Sequence, residues 1–410
     1  MLFRYLVNWL QGQRSEARYP INADIRTHPS EPMTFSTIRH LANRWLPPVA
    51  AEFLRDLRQR TDRRADFRAF WSRFDKASVP AELSQMVVAF LESPDFSRVS
   101  RYWNYLNAAN LEMIARSGPE NYRKDVSLNY YTWTDFSEEL AGGLFRSAAQ
   151  ASRSPYAQLF RQQPGLQGVP SVRHNVLIAA LHAAVMERPV AQRFAEVREN
   201  VADSTPHLVI EGARVTQDRL NALLEFERIS LLGELLPNST VLEIGAGSGR
   251  TAACMMSLLP GIKYIIADIP PALFLSSGNL RALFPERRVA LGFEAADREQ
   301  LSALIASHDL VFIFPHQIGM LADKSIDRFL AVDCLHEMTR ATIETYFAQI
   351  DRVAKTFYMK VWNSTRVPFD LHRLTRDDYP VRPQWQKVFD EPCVFPSNFS
   401  EMGYRLPSGK

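Results

Sequence analysis

The chain has 410 residues, 46% hydrophobic and 23% charged, with a formal net charge of +3. That length exceeds one ordinary domain, so two are expected, and so small a charge gives no basis for binding nucleic acid. Its three cysteines, Cys254, Cys334 and Cys393, are far apart and supply neither a disulfide framework nor a CxxC metal knuckle, which suits a reducing, cytoplasmic setting.

In chain order, the opening stretch MLFRYLVNWLQGQR is too short and too interrupted for a secretory signal or a membrane span. Its apolar residues fall near helical spacing, as expected of a helix packed on the body or on a second copy in a homodimer. Apolar residues then recur at three- and four-residue spacing over 34–45, 49–74, 81–91 and 97–116, predicting helices punctuated by Pro47, Pro48, Pro80 and Gly118. The segment 121–136 is aromatic and reads as loop. Two more helices are expected at 137–151 and 172–200. The longest apolar run, 175–186, contains His182 and is far below spanning length, so no integral membrane segment is expected. A linker at 199–215 closes this half, giving an all-α domain over 1–205.

Beyond the linker the texture changes. A helix over 217–236 leads into a strand at 240–244. Helices and strands then alternate, with strands at 264–268, 310–314, 329–333 and 357–362. That alternation predicts an α/β domain over 206–410, with a parallel sheet covered by helices on both faces.

The run VLEIGAGSGRTA, residues 241–252, is the strongest chemical signal. A buried strand ends at an acidic residue, glycines follow at alternate positions, and a helix begins. Such glycines let the backbone turn sharply and approach a ligand closely. A dinucleotide fingerprint needs a glycine where Arg250 stands, and a phosphate loop needs a G-K-[ST] that is absent. The pattern Glu243-x-Gly245-x-Gly247-x-Gly249 resembles the first motif of S-adenosylmethionine (SAM)-dependent methyltransferases. That resemblance implies a Rossmann-like fold in which Gly245, Ala246, Gly247 and Gly249 pass beneath the amino-acid end of SAM while Glu243 orients the turn. Asp268, about twenty residues on and closing the next strand, is placed to accept hydrogen bonds from both ribose hydroxyls, with Ile269 beside it. Gln317, after the strand DLVFIF, is the candidate to read adenine.

The strand at 329–333 continues as Asp333-Cys334-Leu335-His336-Glu337-Met338. In methyltransferases with a histidine after this strand, that histidine lies beside the transferred methyl, which makes His336 the first candidate base. Glu337 and Asp333 are its rivals, and Asp333 is also a cofactor candidate. Methyl transfer to an alcohol benefits from a base because a hydroxyl is a poor nucleophile while it keeps its proton. Asp333 and Glu337 could contribute to a Mg²⁺ site, but no third ligand stands at diagnostic spacing. Trp362, Asn363, His372 and Arg373 follow the last of these strands, where acceptor loops tend to lie.

Taken together, VLEIGAGSGRTA, IIADIPPAL, FPHQIGML, SIDRFLAVDCLHEM and IETYFAQIDRVAKTFYMKVWN resemble the sugar O-methyltransferases, over about 209–406. The resemblance extends more weakly through YWNYLNAANLEMI and NYYTWTD. It implies SAM as cofactor and a sugar hydroxyl, on a glycosylated metabolite or polysaccharide, as acceptor. The family carries Ser-x-x-Glu-Met after the fourth strand. Here Cys334 and His336 are variants within that run, while Glu337 and Met338 are retained. The alternatives are a non-sugar natural product methylated at oxygen or nitrogen, a catalytically silent binding module, and an NAD-dependent oxidoreductase, against which Arg250 argues. Nucleic-acid amino methylation fits poorly, because its Pro-Pro signature is missing after the fourth strand. Tyr102, Trp103, Tyr105, Tyr122, Tyr130, Tyr131 and Trp133 concentrate aromatic surface in the helical half. Sugars stack on such rings, so this half is expected to form part of the acceptor site or a dimer contact, with Tyr130, Tyr131, Trp133 and Trp362 as acceptor residues.

Overall fold

The computed structural model describes residues 63–121, 169–200, 205–366 and 373–407. The helices expected at 34–45 and 137–151, and the acceptor candidates Tyr130, Tyr131 and Trp133, lie outside the described residues, as do Tyr122 and His372.

The helical segments are α1 (Phe67–Arg73), α2 (Ala81–Glu92), α3 (Arg101–Ser117) and α4 (Val169–Met186). Their ends follow local chemistry. Asp66 caps α1 by accepting a hydrogen bond from the Ala69 N–H, and this interrupts the run expected to be helical over 49–74. Ser100 caps α3 in the same way through the Trp103 N–H, and Gly118 closes it at φ 81°. α4 ends at Met186, and a 3-10 segment, Pro189–Glu196, replaces the helix expected to reach 200. Pro189 lacks a backbone donor and pushes its predecessor out of the helical region.

The second half begins with a small hairpin, β1 (Leu208–Ile210) and β2 (Ala213–Val215), followed by α5 (Gln217–Ser230). Strands and helices then run β3 (Thr240–Ile244), α6 (Arg250–Leu258), β4 (Lys263–Ala267), α7 (Ala272–Leu283), β5 (Val289–Leu291), α8 (Arg298–Ser307), β6 (Leu310–Ile313), β7 (Arg328–Val332), α9 (Arg340–Val353) and β8 (Thr356–Trp362). After these come β9 (Ser364–Arg366) paired with β10 (Arg373–Thr375), then β11 (Gln386–Pro392) and β12 (Phe399–Arg405).

The main sheet is ordered β11-β12-β8-β7-β3-β4-β6-β5. The strands from β8 to β5 are parallel, and β12 and β11 return antiparallel. Three strands of this sheet have no counterpart in the sequence reading. β5 spans three residues, too few for a periodic signal, β11 is half-exposed along its length, and β12 interleaves Ser400, Glu401 and Gly403 with its apolar residues, so none shows a continuous apolar run.

Side-chain alternation along the central strands divides the core in two. Val241, Tyr264, Leu330 and Tyr358 share one cluster with α5, α6, α7 and the helical segments. Leu242, Ile265, Phe329 and Phe357 share the other with α8 and α9. The helical segments are thus continuous with one face of the sheet. Phe90 of α2 is fully buried, with ring centroids 6.4 Å from Phe67, 5.7 Å from Phe96 and 6.1 Å from Phe314, which follows β6. Truncating it to alanine is expected to cost about 3–5 kcal/mol of unfolding free energy, read from urea denaturation. A loss below about 1 kcal/mol would show that helices and sheet do not share a working core.

Candidate functional site

The order of strands reverses beside β3: the chain moves outward to β4 and the edge strand β5, comes back to β6 between them, then crosses to β7 on the other side of β3. A crevice opens at the carboxyl ends of the strands at such a point. The turn after β3 lies in it, and each glycine there has its own reason. Gly245, Gly247 and Gly249 all have left-handed backbones, at φ 63°, 59° and 78°, which disfavour any residue with a Cβ. At 245 a Cβ would stand 2.6 Å from the Cys334 Cβ, so this glycine lets β3 pass the chain leaving β7. At 249 it would lie 3.0 Å from Leu280, so this one packs α6 on α7. Only at 247 would a Cβ meet nothing within 4 Å, and that is the backbone left open to a ligand.

Beneath the turn sits a buried group of charges absent from the sequence reading. Glu225 of α5 accepts hydrogen bonds from Arg250 Nη1 and Nη2 at 2.8 and 3.0 Å and from Lys360 Nζ at 2.9 Å. Burial opposes its ionisation, but the two cations outweigh it and hold its carboxyl below the usual range. Glu243 lies on the same face, taking a 2.7 Å hydrogen bond from the Tyr264 hydroxyl, and burial lifts its carboxyl to about 7. Glu243 is thus tied to β4 through Tyr264 and does not line the crevice.

Asp268 closes β4 and ties it to the turn. Its Oδ2 accepts the Gly247 N–H at 2.9 Å and its Oδ1 the Ile269 N–H at 2.7 Å. Burial raises its carboxyl to about 6 despite these two bonds. After β7, Asp333 adopts a left-handed backbone at φ 59°, and its side chain is about a third exposed. Burial raises it to about 6, against the pull of Lys360 and Arg250. Glu337 follows on the 3-10 turn Leu335–Glu337. Burial, reinforced by the negative charge of Asp333, pushes its carboxyl well above the usual range, while a hydrogen bond from Trp103 works the other way.

His336 is buried behind the two carboxylates. Its side chain is 3% exposed, with Nε2 3.6 Å from Asp333 Oδ1 and 3.9 Å from Glu337 Oε1. The ring packs edge-on against Trp362 and Phe399, its nitrogens make no hydrogen bond with the described residues, and burial lowers its pKa to about 3. Such an imidazole is a poor proton acceptor, and it is not among the residues that line the crevice, whereas Asp333 and Glu337 are.

That crevice is a cleft of about 800 Å³ including its open mouth. Of the residues picked out by sequence, Gly245, Gly247, Asp268, Ile269, Asp333 and Glu337 line it. Ala246, Gly249 and Trp362 do not; Trp362 packs on Phe399 with ring centroids 4.8 Å apart. Gln317, expected to read adenine, does not face the cleft. It is fully buried, its amide nitrogen Nε2 donates to the Gly292 and Ala295 carbonyls, and its Oε1 accepts from the Phe314 N–H. It braces the loop after β6 and presents nothing to a ligand. Asn363 Oδ1 accepts from Ser400 Oγ, and Arg373 is exposed and donates to Ser364 Oγ.

The opposite wall is the connection from α2 to α3, contributing Asp95, Arg98, Val99, Ser100 and Trp103. It is stitched to the sheet domain: Ser100 Oγ donates to the Glu337 carbonyl at 3.2 Å, and Thr342 Oγ1 to the Arg98 carbonyl at 2.8 Å. Apart from Trp103, which stood out as part of an aromatic run, these residues carry no sequence signal, because only tertiary packing brings them here. Among the described residues no group of three His, Cys, Asp or Glu is placed to hold a metal ion, and no helix is long and apolar enough to cross a membrane.

No family model and no curated protein matches the chain. Among solved structures, geranyl diphosphate C-methyltransferase from Streptomyces coelicolor A3(2), in complex with Mg²⁺, geranyl diphosphate and S-adenosyl-L-homocysteine, aligns over 45% of this chain and 80% of its own, at 9% identity and a TM-score of 0.33. The glycopeptide N-methyltransferase MtfA, complexed with SAM, aligns over 46% of this chain and 94% of its own, at 13% identity and a TM-score of 0.32. Likenesses this slight fix neither a reaction nor an acceptor.

The glycine turn yields a paired test. Gly245→Ala meets Cys334 and is expected to lose about 1–3 kcal/mol or more of stability, partly recovered when combined with Cys334→Gly. Gly247→Ala bears only the left-handed strain, about 1–2 kcal/mol, and is expected to impair ligand binding instead. Equal destabilisation by the two, with no recovery in the double variant, would refute this division of roles.

Proposed function

We propose that the chain is a class I SAM-dependent O-methyltransferase whose acceptor is a sugar hydroxyl on a glycosylated metabolite or polysaccharide. The observation that carries the reading is one cleft, at the switch point of a parallel sheet, joining an open Gly247 backbone and the Asp268 carboxylate to the carboxylate pair Asp333 and Glu337.

The residues fit the cofactor. A ligand can approach the backbone at Gly247, and each Asp268 oxygen, already bound to one N–H, retains acceptor capacity for a ribose hydroxyl. SAM bound there would supply a methyl group on a positively charged sulfur. The work of the chain is then to orient the acceptor and take its proton. Glu337 is the residue for this. It lines the cleft, and burial, reinforced by the like charge of Asp333, raises its carboxyl well above the usual range, which makes it a stronger base once ionised. Trp103 holds the carboxylate in place, and its ring offers the flat apolar face on which a sugar stacks. The sugar assignment draws on the sequence resemblance and on this aromatic wall.

Labelled SAM offered with a panel of glycosides and their aglycones tests the acceptor: label is expected on the sugar, and label on aglycones alone would replace the sugar with another natural product. Glu337→Gln is expected to lower kcat by about 10²–10⁴-fold while SAM affinity stays within about twofold. His336→Ala should retain most of the activity, and the reverse pattern would make the histidine the base. A carboxylate base is active only when ionised, so kcat falls as pH drops through the raised pKa of Glu337. Asp333→Asn removes the like charge and is expected to move that acid limb to lower pH; an unmoved limb would uncouple the two carboxyls.

A further inference from the structure

Asp95 lies on the short turn Pro94–Ser97, in the helical half and far in sequence from the glycine turn. Its side chain is 6% exposed, yet it lines the cleft. Its Oδ2 accepts the backbone N–H of His316 at 2.9 Å and stands 2.8 Å from His316 Nδ1. That oxygen is committed to the loop after β6. No hydrogen bond to Oδ1 is made by the described residues, which leaves that oxygen for the cleft.

Its place in the sheet gives the position meaning. β7, which precedes Asp333, and β6, which precedes His316, are separated by β3 and β4. Three strand spacings amount to about 14 Å. Asp95 therefore stands at the end of the cleft remote from Asp333 and Glu337, on the far side of Asp268. The cleft is lined there by the apolar Val99, Ile269, Ala272 and Pro315 together with Arg98, Thr342 and Tyr346. A nearly buried carboxylate oxygen beside that apolar surface suits a flat group that donates an N–H, because an acceptor covered by a ligand and left unmet is costly. The exocyclic amine of an adenine ring is such a donor.

Resting on the SAM reading above, we propose that Asp95 Oδ1 accepts a hydrogen bond from the adenine amine, so that the helical half reads the base of the cofactor. His316 positions the carboxylate by holding Oδ2. This assigns to Asp95 the role that Gln317, spent on the backbone, cannot fill.

Calorimetry with S-adenosylhomocysteine and its 6-deamino analogue, in which purine replaces adenine, tests the assignment. The wild-type protein is expected to prefer the adenine ligand by about 10- to 100-fold, the range of a hydrogen bond to a charged acceptor. Asp95→Ala should bring the adenine ligand down to the level of the analogue and leave the analogue nearly unchanged. Asp95→Asn keeps the volume but offers one acceptor oxygen where two are needed, so it too should lose most of the preference. It serves if the alanine variant loosens the fold. Equal weakening of both ligands, with the preference intact, overturns the proposal and makes Asp95 a brace for the loop. Failure of the wild-type protein to bind either ligand would overturn the SAM reading itself.

Discussion

The ion cluster centred on Glu225 sets the terms for everything above it. One fully buried carboxylate joins α5, the first residue of α6 through Arg250, and the middle of β8 through Lys360. Burying three charges is expensive, and such a group persists only when each partner is well met; removal of one leaves the others uncompensated at a cost of about 3–5 kcal/mol. Because Arg250 starts the helix immediately after Gly249, the cluster fixes the direction in which the glycine turn opens. Lys360 and Arg250 also act upward. Both draw the carboxyl of Asp333 down against its burial, and Asp333 in turn raises Glu337. The charge state at the floor of the cleft is thus linked to a buried ion cluster that lies outside its lining.

What could be read from the sequence divides along a physical line. The glycine turn, Asp268 and the strands β3, β4, β6, β7 and β8 were legible because their signals are local: a buried apolar run, an alternate-glycine turn, an acid at the end of a strand. The sequence also brought Asp333, His336 and Glu337 to one turn, but it could not say which of them faces the cleft. That depends on Trp362 and Phe399 closing over the imidazole, contacts made from distant strands. Gln317 shows the same limit in reverse. A polar residue after a strand suggests a ligand contact, and only the tertiary fold reveals that the Gly292 and Ala295 carbonyls consume its amide. Arg250 was legible only as an exclusion, a residue where a dinucleotide site needs glycine. Its positive role requires Glu225, a residue 25 positions earlier.

The wall formed by residues 95–103 has the least sequence signal and the widest consequence. It reaches the sheet domain at several separate points: Asp95 on His316, Arg98 on Thr342, Ser100 on the Glu337 backbone, and Trp103 on the Glu337 carboxylate. These contacts span the cleft from the loop after β6 to the turn after β7, so the wall cannot shift as a body without changing both ends together. The hydrogen bond from Trp103 favours the ionised form of Glu337, so its loss would raise that carboxyl further and leave it protonated over more of the pH range. The helical segments therefore bear on the charge state of a residue that lines the cleft. On the reading proposed above, an acceptor that displaced Trp103 would leave Glu337 protonated over more of the pH range, whereas one that stacked on the ring without moving it would leave that hydrogen bond in place.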